Sequence, residues 1–194
     1  TGLNGYMIHD VNYTGDKFGV DPIRDRGMLA SALLHDVGSL RGRHANKYTW
    51  ERVFAALEDF GLFDEDADIE FIPYWRSGSL YTYGLGLDDE ETDAFLTEDE
   101  SGDKDVIKSV LCSMYKNRKT NRALVVLANP TGTPVEENVV ISPDLLGHPV
   151  KTCTDAEVGE ELPGMESPKN EQRVPNTFVP LYIDRYQFRL LRVE

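Results

Sequence analysis

Cysteine is scarce in this chain. Among 194 residues there are two, Cys112 and Cys153, too few and too widely separated for a thiolate zinc cluster, whose ligands come in closely spaced pairs. They form either one bridge or two thiols packed in a sheet, and the second is the expectation. The four histidines are scattered at positions 9, 35, 44 and 148, with no metal-ligand spacing, so no metal and no other cofactor is expected. No apolar run approaches the roughly 20 residues that cross a bilayer. The opening TGLNGYMIHD has neither a basic region nor a long apolar stretch, so no signal segment is read there. Positive charge is short as well. Twenty Lys and Arg face 34 Asp and Glu, a formal net charge of -14, which repels phosphate backbones and anionic headgroups. Neither nucleic acid nor a membrane surface is an expected partner.

Reaction motifs are absent too. There is no G-x-S-x-G elbow, H-E-x-x-H helix or P-loop, and Gly84-Leu85-Gly86 lacks the third glycine and following helix of a dinucleotide site. What the chain does have is a core: 40% hydrophobic residues with 10% aromatics exclude disorder throughout and suffice for one large domain or two small ones. It begins at Thr1 rather than Met, and the expectation is a processed product, an excised segment or part of something longer.

The strongest pattern is β. Arg122–Asn129, RALVVLAN, is answered at the far end by Tyr186–Val193, YQFRLLRV. Residues 106–115 and 122–128 flank the polar turn 116–121 and predict a hairpin, and 136–141 follows a Pro/Gly turn. Shorter runs at 150–153, 178–183 and 186–193, with a polar loop at 163–175, predict an antiparallel sandwich of about six to eight strands. Glu136–Ile141 is expected at an edge, where it offers a template for pairing with another subunit.

The N-terminal part reads differently. Residues 5–10, GYMIHD, form a short apolar run ending in polar residues, as in a buried strand that delivers side chains to a rim. Asp21-Pro22 is an N-cap followed by proline at the first helical position, predicting a helix over 22–35. Thr49 is a second N-cap candidate. Trp50, Val53, Phe54, Leu57 and Phe60 make a helical stripe that stops at Gly61, a natural C′ residue. Residues 39–47, SLRGRHANK, read as a solvated basic loop, and 69–74 and 80–83 as short strands around the Trp75–Gly78 corner. Residues 87–105 hold ten acidic residues against one lysine, the composition of an exposed, hydrated loop. Asp99, Ser101, Asp103 and Asp105 alternate oxygen donors around Gly102, but the closing Glu of an EF-hand is missing.

In sum the fold class is α+β: a short α/β segment over 1–76, then an antiparallel β-sandwich over 77–194 carrying the acidic loop 87–105. A strand ending in His9-Asp10, two helices, the FIPYW corner at 71–75, SVLCSMYKNRKTNRALVVLAN at 109–129 and the terminal YQFRLLRVE together resemble the C-terminal portion of glycoside-hydrolase-like proteins. In those, a (β/α)8 barrel is followed by a β-sandwich. The best local matches are Phe60-Gly61 before Pro73-Tyr74-Trp75, Leu127-Ala128-Asn129, and Leu145-Leu146-Gly147. The resemblance implies the end of such a barrel and its appended sandwich, with carbohydrate as ligand and an upstream barrel segment or another subunit as partner. A closed barrel takes eight strands and some 200 or more residues, so a whole one does not fit here, and the chain alone is expected to be inactive.

Glycoside hydrolysis needs two carboxyl groups facing each other across the scissile bond, and in barrels such groups sit at the C-terminal ends of strands. Asp10 is placed that way, with His9 beside it, and these are the catalytic candidates. Adjacent residues on a strand point to opposite faces, so one of the two faces the site. The plainer alternative has Asp10 capping a turn and His9 bonding a neighbour. Asp21 and Arg24, clustered with Asp25 and Arg26, suit gripping a sugar hydroxyl, although an N-cap with first-turn ion pairs explains them equally. Trp75, amid Tyr74, Tyr81 and Tyr83, offers a face for stacking on a sugar ring or filler for an interdomain core. The rival to the enzyme reading is a non-catalytic β-sandwich that binds or self-assembles.

Overall fold

The computed structural model describes residues 6–8, 22–40, 47–74, 76, 80–84, 110–141, 146–166 and 177–194. In chain order the elements are β1 (Tyr6–Ile8), α1 (Pro22–Leu34), β2 (Gly38–Leu40), α2 (Lys47–Phe60), β3 (Ile69–Ile72) and β4 (Leu80–Gly84). There follow β5 (Leu111–Asn117), β6 (Arg122–Ala128), β7 (Val135–Ile141), β8 (Cys153–Asp155), β9 (Glu160–Glu161), β10 (Met165–Glu166), β11 (Thr177–Ile183) and β12 (Phe188–Val193). Among the described residues the fold is mostly antiparallel sheet with two helices, a β-rich α+β architecture.

A six-stranded sheet, in the order β3-β5-β6-β12-β8-β9, faces a four-stranded one, β10-β11-β7-β4. β6 and β12, the two runs most conspicuous in the sequence, pair antiparallel at its centre, with Val126 opposite Leu190. Their near-continuous apolar character follows from cover on both sides, since a strand buried on both faces has no polar side to alternate with. Leu124, Val126, Phe188 and Leu190 join the cluster formed with α1 and α2. Ala123, Val125, Leu127, Leu191 and Val193 join the cluster between the sheets with Val139, Ile141, Val179 and Ile183. The layers are therefore helices, six strands, four strands.

Two glycine-type caps stop the helices. After α2, Gly61 has φ 84 and the Leu62 N–H reaches the Leu57 carbonyl at 3.0 Å, the six-to-one bond of a Schellman turn. α1 ends the same way at Asp36, φ 55, with the Val37 N–H on the Ala32 carbonyl at 3.0 Å. The last carbonyls of α1 are taken up by the sheet: Tyr115 donates to Leu33 at 2.9 Å and Ser113 donates to Leu34 at 2.9 Å, satisfying acceptors the helix itself leaves unpaired. β1 and β2 pair in parallel, Tyr6 opposite Gly38 and Ile8 opposite Leu40, with α1 as the connection between them.

Several expectations are corrected. β7 lies between β11 and β4, so Glu136–Ile141 offers no free edge for subunit pairing; β4, from before the acidic run, covers it. α2 begins at Lys47, placing Thr49 inside the first turn; the Lys47–Glu51 ion pair at 3.3 Å spans that extension. Residues 39 and 40, read as the start of the basic loop 39–47, belong to β2, and β10 forms within the loop at 163–175. The sandwich has ten strands among the described residues, more than six to eight, because β9 and β10 contribute two residues each. The six-stranded sheet draws its edge strand β3 from before position 76. The acidic loop 87–105, with Asp99, Ser101, Asp103 and Asp105, lies outside the described residues.

Neither cysteine is in a disulfide, and both are buried between the sheets. Burial, helped by the nearby Asp155 charge, pushes the Cys153 thiol up to about 12 from 9.0. Burial, with Asp36, likewise raises the Tyr115 hydroxyl. An acid whose folded pKa is raised keeps its proton where the unfolded chain has lost it, so stability falls as pH rises from the unfolded value toward the folded one. Urea midpoints are expected to decline steadily above pH 9, and thiol reagents at pH 8 to leave both cysteines unmodified until denaturant is added. Fast stoichiometric labelling of the native protein would contradict this.

Candidate functional site

The described residues form a cleft of about 280 Å³ where α1, α2, the turn after β8 and the β11–β12 connection meet. Its lining includes an ion-pair clamp. Arg26 of α1 makes a two-pronged contact with Glu157, Nη1 to Oε2 at 2.8 Å and Nη2 to Oε1 at 2.6 Å, and also donates to the Phe188 carbonyl at 2.9 Å. Its guanidinium carbon sits 4.2 Å from the centre of the Phe188 ring, a cation–π contact on top of the bidentate pair. Next to it Arg189 pairs with the buried Asp155 at 3.2 Å, and Asp155 accepts the Glu157 N–H at 3.0 Å.

The clamp ties helix to sandwich. With Arg26 and Glu157 side chains only 19% and 10% exposed, the pair is largely desolvated, and losing one partner strands the other charge. Arg52, Gln187, Asp184, Tyr182 and Val158 also line the cleft, and Asp184 accepts the neighbouring Arg185 N–H at 2.7 Å. Among the described residues no cluster of three His, Cys, Asp or Glu side chains is placed to hold a metal ion, and no helix is long and apolar enough to cross a membrane.

Of the residues singled out in the sequence, His9, Asp10, Asp21 and Trp75 lie outside the described residues. Arg24 is in the first turn of α1, its side chain outside the description. Arg26, grouped with it by sequence, pairs across the fold. It reaches Glu157, 131 positions away, and its neighbour Asp25 is buried. Glu157, Asp155, Arg52, Tyr182 and Gln187 carried no local signal, since the fold gathers them into one cleft from stretches far apart in sequence.

No family model and no curated protein matches this chain. Solved structures similar in outline include a GH27 β-L-arabinopyranosidase from Geobacillus stearothermophilus, as the wild-type enzyme and as a variant in complex with arabinose. To each the TM-score is 0.45 and the identity 9%, over 89% of this chain and 30% of theirs. The chain thus spans less than a third of those enzymes' length, and a likeness of this size assigns neither activity nor substrate.

Arg26→Met is expected to lower the unfolding free energy by about 3–5 kcal/mol, the usual cost of stranding one partner of a buried pair. The double variant R26M/E157L should lose less than the sum of its single changes. Urea unfolding in a double-mutant cycle measures this; strict additivity would show that the pair does not act as a unit.

Proposed function

We propose that this chain is the C-terminal part of a carbohydrate-active, glycoside-hydrolase-like enzyme, with β1, α1, β2 and α2 ending a (β/α)8 barrel and the sandwich, from β3 onward, bracing it. The observation that carries the reading is the order β1, α1, β2, α2, with β1 and β2 in parallel. Parallel strands joined through a helix are the repeat of such barrels, and parallel sheets occur almost only with both faces covered. A pair three residues long needs further strands for stability, and among the described residues none adds to it. The flank of α2 fits the same picture. Trp50, Phe54 and Phe63 stack in succession at 5.5 and 6.1 Å, and the series ends on Phe63, 46% exposed, apolar surface that a further helix could cover.

In this reading Asp10 and His9 belong to the reacting site, Asp21, Arg24 and Trp75 touch the sugar, and the remaining carboxyl group comes from the upstream barrel segment or another subunit. Purified alone, the chain is expected to turn over no aryl glycoside, and co-expressed with polypeptide encoded upstream of it, to co-purify with that segment. Turnover by the isolated chain, or a defined homo-oligomer that ignores the upstream segment, would contradict the proposal.

A further inference from the structure

We propose that the cleft above the Arg26–Glu157 clamp binds a saccharide, one neutral sugar ring at a time. The inference goes beyond the barrel reading, because every residue it uses lies in the described part of this chain.

Three observations converge on it. The first is the contrast between paired and unpaired groups in the lining. Arg26 and Arg189 are already paired with Glu157, the Phe188 carbonyl and Asp155, so they hold shape without waiting for a ligand. Arg52 and Gln187 line the same cleft with side chains that make no hydrogen bond or ion pair among the described residues. Asp184 spends one carboxylate oxygen on the Arg185 N–H and keeps the other available. A cation, an amide and a carboxylate in one lining supply the donors and acceptors that vicinal hydroxyls need.

The second is apolar surface in a charged place. Tyr182 is 52% exposed and Val158 59% exposed, yet both line this polar concavity. A polyhydroxylated ring has one face of C–H groups and a rim of hydroxyls, which matches an aromatic wall beside convergent polar groups.

The third is charge. Arg26, Arg52 and Arg189 stand against Asp155, Glu157 and Asp184 in the lining, so the formal charges cancel within a chain whose total is -14. A charged ligand of either sign gains one set of partners and is repelled by the other, while a neutral polyol uses both. The volume of about 280 Å³ is at the low end of small-ligand clefts, which run roughly 300–1,000 Å³, and suits a single ring.

The test is titration of the full chain with glucose, galactose and xylose, and with glucuronate and glucosamine as charged counterparts, followed by calorimetry and by shifts of backbone amide signals. Expected are saturable millimolar binding of at least one neutral sugar, no gain from either charge, and signals that move at 182–189. Tyr182→Ala and Gln187→Ala should each weaken binding about tenfold or more, a factor equal to about 1.4 kcal/mol, while Tyr182→Phe retains it. Tyr182 is on the surface, so thermal unfolding of these variants should match the parent. No saturation by any neutral sugar, tight binding of glucuronate that glucose does not compete for, or binding indifferent to Tyr182→Ala would each overturn the proposal. None of these results depends on an upstream segment, so failure here and failure of the barrel reading are separate outcomes.

Discussion

A sheet that is apolar on both faces has to be covered twice, and in this molecule that constraint organises everything else. β6 and β12 at the centre of the six-stranded sheet carry side chains into two cores. The four-stranded sheet closes one core. Among the described residues α1 and α2 cover the other, and removing them would expose Tyr115, Leu124, Phe188 and Leu190, where burying one such apolar side chain is worth roughly 1.5–3 kcal/mol. The helices are thus an integral layer of the sandwich, even though sequence reasoning treats them as a separate segment.

Polar contacts fix how that layer sits. Tyr115 and Ser113 hold the C-terminal carbonyls of α1, and Ser113 also accepts the Tyr74 N–H at 2.9 Å, so one hydroxyl joins helix, sheet and the corner after β3. Arg26 holds the other end of α1 against the β8–β9 turn. On the far side of β6, Asn129 organises the turn between β6 and β7: its oxygen accepts the Thr131 N–H at 2.9 Å, and its nitrogen lies 2.7 Å from the Thr133 carbonyl and 3.2 Å from those of Ile183 and Asp184. Buried polar groups that are satisfied in this way give a fold its register as well as stability.

What could be read in advance follows from the range of the forces involved. The stripe of α2 and its stop at Gly61 are local, because spacing and a left-handed cap are written in neighbouring residues. The β5–β6 hairpin is also local; Asn117 accepts the Lys119 and Thr120 N–H groups and sets the turn. β2 was not legible, since Gly38-Ser39-Leu40 has little strand propensity of its own and becomes a strand by pairing with β1. The interior place of β7 was hidden for a similar reason, because β4 and β11 reach it from either side of the chain. The cleft was the least legible feature, as its clamp joins residues 131 positions apart.

The proposed barrel end makes β1 and β2 part of a larger parallel sheet, whereas the two sheets with α1 and α2 already share closed cores among the described residues. Amide hydrogen exchange on the isolated chain tests it most directly, since exchange reports local opening element by element. The account predicts that amides of residues 38–40 exchange with little protection while those of 123–128 and 188–193 exchange only through global unfolding. Addition of the upstream polypeptide should then slow residues 38–40. Protection of 38–40 in the isolated chain equal to that of β6 and β12 would contradict it.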